Sequence, residues 1–220
     1  MIAKRIFGIL VLVFLSAAVY AQSDKVDVLL QKLKDADHIV REKAIYELGD
    51  TNDNRAVDAL FAIMLDKNDK KRFAAAYALA RMSDHSVVDR LIAELNNDKD
   101  KDWGSIFYPV LALQSSKDPR ATEFFNAAIK NKSIGVIAAN HEYYIIKGEA
   151  GTEDLLIGAL NKYGDLYNKM AINLYICDNQ KLSSAAKKWI ESKGMSIEDL
   201  KEAIDYFSCG KPIWGRGYSP

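Results

Sequence analysis

Two cysteines and three histidines are the side chains in this sequence best suited to covalent or metal chemistry. Cys177 and Cys209 stand 32 positions apart, and their types fit either a disulfide or two small buried apolar residues. His38, His85 and His141 are scattered, and the sequence contains neither an H-E-x-x-H nor a C-x-x-C motif. We therefore expect no zinc site, no cofactor and no paired nucleophile and base.

Four acidic residues with regular spacing could instead recognise a partner. Asp27, Asp89, Glu123 and Asp154 each stand six positions before the end of an apolar block, and Ala59 interrupts the series. They would form an acidic stripe suited to a basic peptide if the blocks are stacked helices that share a concave surface. The alternative is helix electrostatics, because an acidic side chain in the first turn meets the positive end of the helix dipole.

The elements that must position these side chains are apolar blocks that recur about every 31 residues. The blocks end at Leu33, Leu65, Leu95, Ile129 and Leu160, with a weaker copy ending at Ile190. Between them lies a second pattern, rich in alanine and aromatic residues, whose best two copies place Tyr46 and Tyr77 in register. Both patterns have the i, i+3, i+4, i+7 spacing of amphipathic helices, and no segment alternates like a strand.

Turn residues mark the expected ends of these helices. Gly49 and Gly148 stand where a helix C-terminus favours a left-handed residue. Pro109 lies inside the third copy of the alanine-rich pattern and should kink that helix. Cap residues predict three helix starts, at Asp118 before Pro119, at Thr152 and at Ser196.

The pattern D-x-D-x-x-V-R-x-x-A-x-x-x-L-G, an acidic loop and then R-A-V-x-x-L resembles HEAT-like repeats of the phycobilisome-lyase type. The resemblance is close across residues 25–96, partial across 97–162 and weak beyond. In the third copy Trp103-Gly104 replaces Val-Arg, and Pro109 replaces the alanine. The residues that carry the resemblance are Asp35, Asp37, Val40, Arg41, Ala44, Leu48, Gly49, Arg55, Ala56, Val57 and Leu60.

The resemblance implies an all-α fold, a right-handed α-solenoid of about five HEAT-like helix pairs, with the second helix of each pair on the concave side. Arg41 and Arg72 would bridge acidic loops between repeats, or alternatively bind a ligand. Cys177 and Cys209, one repeat apart, would occupy similar places on adjacent first helices. Because stacked helix axes lie roughly 8–10 Å apart, we expect a disulfide only where the helix ends converge.

The two ends of the chain differ from the repeats. Lys4 and Arg5 precede an apolar run and small residues up to Ala21, which predicts a signal peptide over 1–21, cleaved after Ala21. An uncleaved anchor is the alternative, although the run is shorter than the ~20 residues that span a bilayer. Residues 22–209 would form the solenoid. Residues 210–220 would be a non-helical tail that caps the last helices or engages a partner through Trp214 and Tyr218.

Charge and motifs narrow the function. With 30 basic and 30 acidic residues the net charge is zero, which disfavours nucleic acid as a partner. The single His141-Glu142 pair, interpreted as a partly exposed helical pair, cannot supply the dinuclear site of HEAT-like hydroxylases. We therefore expect a monomeric, non-enzymatic module in the periplasm or secreted from a bacterium, with no membrane contact after cleavage, which binds a protein or peptide or acts as a scaffold. The alternatives are a lyase or hydroxylase subunit and an envelope structural protein.

Overall fold

The computed structural model describes residues 25–82, 84–96, 101–166 and 168–198, and within these ranges every regular element is a helix. The predicted all-α class is therefore confirmed. The signal peptide and the C-terminal tail lie outside the described residues. The helices are α1 (25–32), α2 (His38–Gly49), α3 (Asn54–Leu65), α4 (Arg72–Arg81), α5 (His85–Leu95), α6 (Trp103–Ser115), α7 (Pro119–Lys130), α8 (Ile134–Ala139), α9 (His141–Lys147), α10 (Thr152–Tyr163), α11 (Lys169–Ile176) and α12 (Gln180–Ser192).

The helices alternate as the two sequence patterns require. The alanine-rich pattern forms the first helices, which are α2, α4, α6, the α8–α9 pair and α11. The apolar blocks form the second helices, which are α1, α3, α5, α7, α10 and α12. The chain divides into two compact units, one up to Phe124 and one from Phe125 onward. Within each unit, neighbouring helices stack in the manner of an α-solenoid.

In the first unit α4 lies at the centre and packs against α2, α3 and α6. Its sequence permits this because Ala74, Ala75, Ala76 and Ala78 are all buried and present little bulk to the surrounding helices. Larger apolar side chains of the second helices, such as Phe61 of α3, complete the core. Short loops connect these helices and end in aspartate N-caps, among them Asp37, Asp53 and Asp84.

Gly49 corrects one prediction in this unit. The sequence indicated a left-handed residue there, but Gly49 is the last residue of α2, and the left-handed residue is Asn52, with φ 51°. A Cβ added at Gly49 would lie 2.8 Å from the carbonyl oxygen of Ala78. Glycine at this position therefore permits close approach of α2 and α4, whereas the predicted role was a turn.

The helix starts and ends follow the sequence with one further correction. α7 begins at Pro119, and the Arg120 amide donates to the Asp118 carboxylate over 2.9 Å, as predicted. Gly148 ends α9 in the left-handed conformation, with φ 61°. Thr152, predicted as an N-cap, is instead the first residue of α10, and its hydroxyl donates to the Glu149 carbonyl over 2.6 Å.

The second unit differs from the first in one first helix. The copy predicted as one helix over residues 134–146 is two short helices, α8 and α9, which meet at Asn140. α10 packs against α8 and α12, and α11 packs against α9 and α12. The buried Tyr144 hydroxyl donates to the Phe125 carbonyl over 2.9 Å and joins α9 to the middle of α7. Among the helices that the structure describes, none is long and apolar enough to cross a membrane.

Candidate interaction surface

A row of ion pairs crosses the second helices of the first unit. Asp27 of α1 pairs with Arg55 of α3 over 2.6 Å, and Asp58 of α3 pairs with Arg90 of α5 over 2.6 Å. Asp89 of α5 then pairs with Arg120 of α7. These six side chains, which we call the charge ladder, join each second helix to the next one along the chain.

The register of the repeat explains the acidic side of the ladder. Asp27, Asp58 and Asp89 are spaced by one repeat, so they occupy one position on consecutive second helices. Ala59 stands six positions before the end of its apolar block at Leu65, directly after Asp58. Counting forward from Asp27 in steps of one repeat would have found Asp58.

Two of the arginines are held from both sides. Arg55 lies in the first turn of α3 and also pairs with Asp53, the N-cap of that helix, over 2.9 Å. Arg120 has the same relation to Asp118 at the start of α7, over 2.8 Å. The hydrogen bond from Arg55 lowers the pKa of Asp53 below its usual value, and the one from Arg120 does the same to the pKa of Asp118. The orientation of each guanidinium group is thus fixed by two carboxylates of the protein itself.

Arg90 is held differently. Its guanidinium carbon lies 4.1 Å from the centre of the Phe61 ring, a cation–π geometry. Phe61 is itself fully buried, so its ring holds the Arg90 guanidinium in place from below and is not part of the exposed surface. Arginine, which is partly exposed here, is among the residues enriched where proteins bind one another.

The four predicted acidic residues do not form a uniform acidic stripe. Asp27 and Asp89 belong to the ladder, and Asp154, in the second unit, pairs with Lys181 over 2.8 Å. Glu123 is exposed on α7. Because most of these carboxylates already face a basic side chain, the second helices present charges of both signs.

The alternative explanation by helix electrostatics holds for only part of the set. Asp154 lies in the first turn of α10, where the helix dipole favours a negative charge. Asp89 and Glu123 lie beyond the first turns of α5 and α7. Their placement therefore needs another reason, which for Asp89 is the ion pair with Arg120.

The two arginines predicted to bridge loops between repeats do so. Arg41 of α2 donates to Asp69, in the loop before α4, over 3.0 Å. Arg72 is only 6 % exposed, donates from Nε to the Met64 carbonyl over 2.7 Å and lies 3.8 Å from Asp102 in the loop before α6.

Gly104 explains the irregular third copy. A Cβ added at Gly104 would lie 2.7 Å from the guanidinium carbon of Arg72. The glycine that replaces the arginine of the pattern therefore leaves room for Arg72, whose guanidinium also lies 4.7 Å from the centre of the Tyr108 ring.

The histidine and glutamate interpreted as a partly exposed pair are a buried polar cluster in the second unit. His141 is 2 % exposed, and Asn173 of α11 contacts both its Nε2 and the Glu142 carboxylate. Burial lowers the pKa of His141 to about 4, so the ring is neutral at pH 7. The predicted partial exposure holds only for Glu142, which is half-buried and pairs with Lys169 over 2.8 Å.

The structure describes one of the two cysteines, Cys177. Cys177 is half-buried at the end of α11, and its thiol donates to the Leu174 carbonyl over 3.1 Å. Burial raises its pKa, so it is a poor nucleophile at neutral pH. Cys209, Trp214 and Tyr218 lie outside the described residues, and both the disulfide and the tail contacts stay predictions. In the described part of the chain, no group of three or more His, Cys, Asp or Glu side chains could hold a metal ion.

Stacked helix pairs that recur about every 31 residues define the class of helical repeat proteins. Residues 26–104 match the family model described as HEAT repeats, and this range runs from α1 to the start of α6. The predicted HEAT resemblance is confirmed over these residues. No curated protein matches the chain. Export and the phycobilisome-lyase subtype stay predictions.

Proposed function

We propose that this protein is a non-enzymatic module of the bacterial envelope that binds a protein or peptide or holds partners as a scaffold. HEAT repeats are commonly protein-interaction scaffolds. The observation that carries the proposal for this chain is the charge ladder, because its aspartates repeat in one register on three consecutive second helices and remain exposed. If these ion pairs served only the fold, they would stabilise it little, since each exposed pair contributes only about 0–1 kcal/mol to the free energy of unfolding.

The spacing of the ladder favours an extended peptide. Neighbouring helix axes lie roughly 8–10 Å apart, and an extended chain advances about 3.3 Å per residue. A peptide that crosses the second helices would thus meet a new ion pair at about every third residue. Since each pair offers both an acid and a base, the expected partner carries charges of both signs.

Export is the second part of the proposal. The basic start, the short apolar run and the small residues before Ala21 support a cleaved signal peptide and a periplasmic or secreted protein. The neutral net charge supports recognition by local charges and shape, since a chain with no excess charge has no long-range field to attract a partner.

A crosslinking pull-down from the native bacterial envelope tests this function. We expect wild-type protein to capture a specific partner and the triple variant Asp27→Lys, Asp58→Lys, Asp89→Lys to lose it. The matched control reverses three exposed carboxylates outside the ladder, Asp50→Lys, Asp165→Lys and Glu191→Lys, each of which also has a basic neighbour. Circular dichroism spectra of both variants should match the wild-type spectrum.

Three results would contradict the proposal. Equal capture by the ladder variant and the control would remove the ladder from binding. Loss of the partner on deletion of residues 210–220 alone would assign binding to the tail. Stoichiometric metal or chromophore in the purified protein would favour the enzyme-subunit alternative.

A further inference from the structure

The junction between α8 and α9 is a break in a helix that the repeat pattern predicts to be continuous. Asn140 links the two pieces with φ −117° and ψ 31°, outside the helical region. The His141 ring nitrogen Nδ1 lies 2.9 Å from the Ala138 carbonyl oxygen. In an unbroken helix that oxygen would accept from the backbone amide of Glu142. The break therefore coincides with a buried polar side chain that bonds to the backbone.

The hydrogen bonds of His141 fix its tautomer. A carbonyl oxygen only accepts, so Nδ1 carries the proton, and Nε2 accepts from the Asn173 amide over 2.8 Å. The same amide nitrogen donates to the Glu142 carboxylate over 2.9 Å. Both amide hydrogens of Asn173 are thereby used, which identifies its Oδ1 as the remaining acceptor.

Three buried polar atoms of Asn140 and Asn173 have no partner among the described residues, and two of them belong to Asn140 at the break. They are Nδ2 and Oδ1 of Asn140 and Oδ1 of Asn173. Asn140 is 2 % exposed and Asn173 is 0 % exposed, so bulk solvent does not reach either side chain. Buried polar groups in native proteins are nearly always satisfied by protein or by internal water, because an unsatisfied group destabilises the fold.

From this cluster we infer that the α8–α9 break is an internal hydration site, with water bound to the Asn140 and Asn173 side chains. The atoms offer both donors and acceptors, which is the mixture that a buried water requires. A cation would face the donor hydrogens of Asn140 and the ammonium of Lys169. An anion would face the Glu142 carboxylate and two amide oxygens. Insertion of water is also a recognised cause of helix breaks.

Water–protein cross-relaxation in the wild-type protein tests the inference directly. In ¹⁵N-edited spectra the Asn140 side-chain amide should show water cross-peaks that are of opposite sign in NOESY and ROESY, as expected for a long-lived bound water. The Asn140→Leu variant, which lacks the amide, assigns the signal. Absence of these cross-peaks at an assigned Asn140 amide would overturn the inference.

A stability comparison gives a second, independent result. Leucine matches asparagine in size but cannot bond to water, so Asn140→Leu should make the folding equilibrium about five- to thirty-fold less favourable by urea titration. The matched control is Asn131→Leu at an exposed turn, where we expect little change. A more favourable equilibrium for Asn140→Leu would show a dry cluster and overturn the inference. If this variant does not fold, the wild-type spectra still decide.

Discussion

Single residues explain where this chain departs from its own repeat. Arg72 occupies the place that the sequence pattern gives to a loop-bridging arginine, yet it is buried and has contacts with a carbonyl, an aromatic ring and a carboxylate. The sequence indicated the bridge to the loop. It did not indicate the burial, because burial depends on α6 closing over Arg72 and on Gly104 leaving space for it.

We predict that Arg72→Ala lowers the free energy of unfolding by about 2–3 kcal/mol. The change removes a charged hydrogen bond to the Met64 carbonyl and buried packing against Tyr108. The control is Arg81→Ala, which breaks the exposed pair with Asp50 and should cost no more than about 1 kcal/mol. Urea unfolding monitored by circular dichroism measures both. Equal losses for the two variants would mean that Arg72 acts only as a surface ion pair.

His141 makes stability depend on pH. Its pKa is about 4 in the folded protein, against 6.5 when unfolded, because burial disfavours the charged ring. The unfolded chain therefore binds the proton more readily than the folded chain. The contribution of His141 is fully present above pH 6.5 and is lost as the pH falls towards 4.

We predict a decline in the free energy of unfolding of at most about 1.4 kcal/mol per pH unit between pH 6.5 and 4. His141→Gln should flatten this decline, whereas Asn131→Gln, at an exposed position without a titrating side chain, should leave it unchanged. Glu142 does not produce the same window. Its pKa is lowered because the bond and charge of Lys169 outweigh the effect of burial, so it titrates below its usual range. An unaltered pH slope in His141→Gln would contradict the assignment.

At the scale of elements, the close contact of α2 and α4 depends on one glycine. A Cβ at Gly49 would meet backbone atoms of Ala78, which cannot move without moving α4. The sequence placed Gly49 correctly at the end of a helix. It could not tell a turn glycine from a packing glycine, because both end the same apolar pattern.

We predict that Gly49→Ala lowers the free energy of unfolding by about 1–3 kcal/mol through overpacking. The matched control is Gly158→Ala inside α10, where the nearest atom to an added Cβ is Ile134 Cδ1 at 3.8 Å. There alanine fits and should stabilise by about 0.5–1 kcal/mol, since it favours the helix. Thermal and urea unfolding of the two variants should therefore change in opposite directions. A stabilising Gly49→Ala would show that α2 and α4 are farther apart than described.

At the scale of the whole molecule, the proposed export has two consequences for the mature chain. We predict that the native protein begins at Gln22 and carries a disulfide between Cys177 and Cys209, as expected for an exported chain. Intact mass under non-reducing conditions measures both features, because the bridge removes two hydrogens. A mass that includes residues 1–21 would contradict cleavage. Two thiols that alkylate without reduction would contradict the bridge.

The sequence by itself determined the all-α class, the alternation of two helix types and the repeat of about 31 residues, because these follow from the spacing of apolar residues along the chain. The HEAT-like character came from resemblance to that family. The sequence also located Arg41 and Arg72 at the loops between repeats. These features depend on local or periodic patterns along the chain, so they can be predicted without knowing which helices are in contact.

Only the tertiary structure decided which side chains of different helices meet. Asp27, Asp58 and Asp89 pair with arginines about one repeat away, and His141 is buried against Asn173 of another first helix. The helix predicted over residues 134–146 is interrupted at Asn140 in the structure. The physical reason is that ion pairing and burial depend on distances between helices, which the spacing of residues along one helix does not contain.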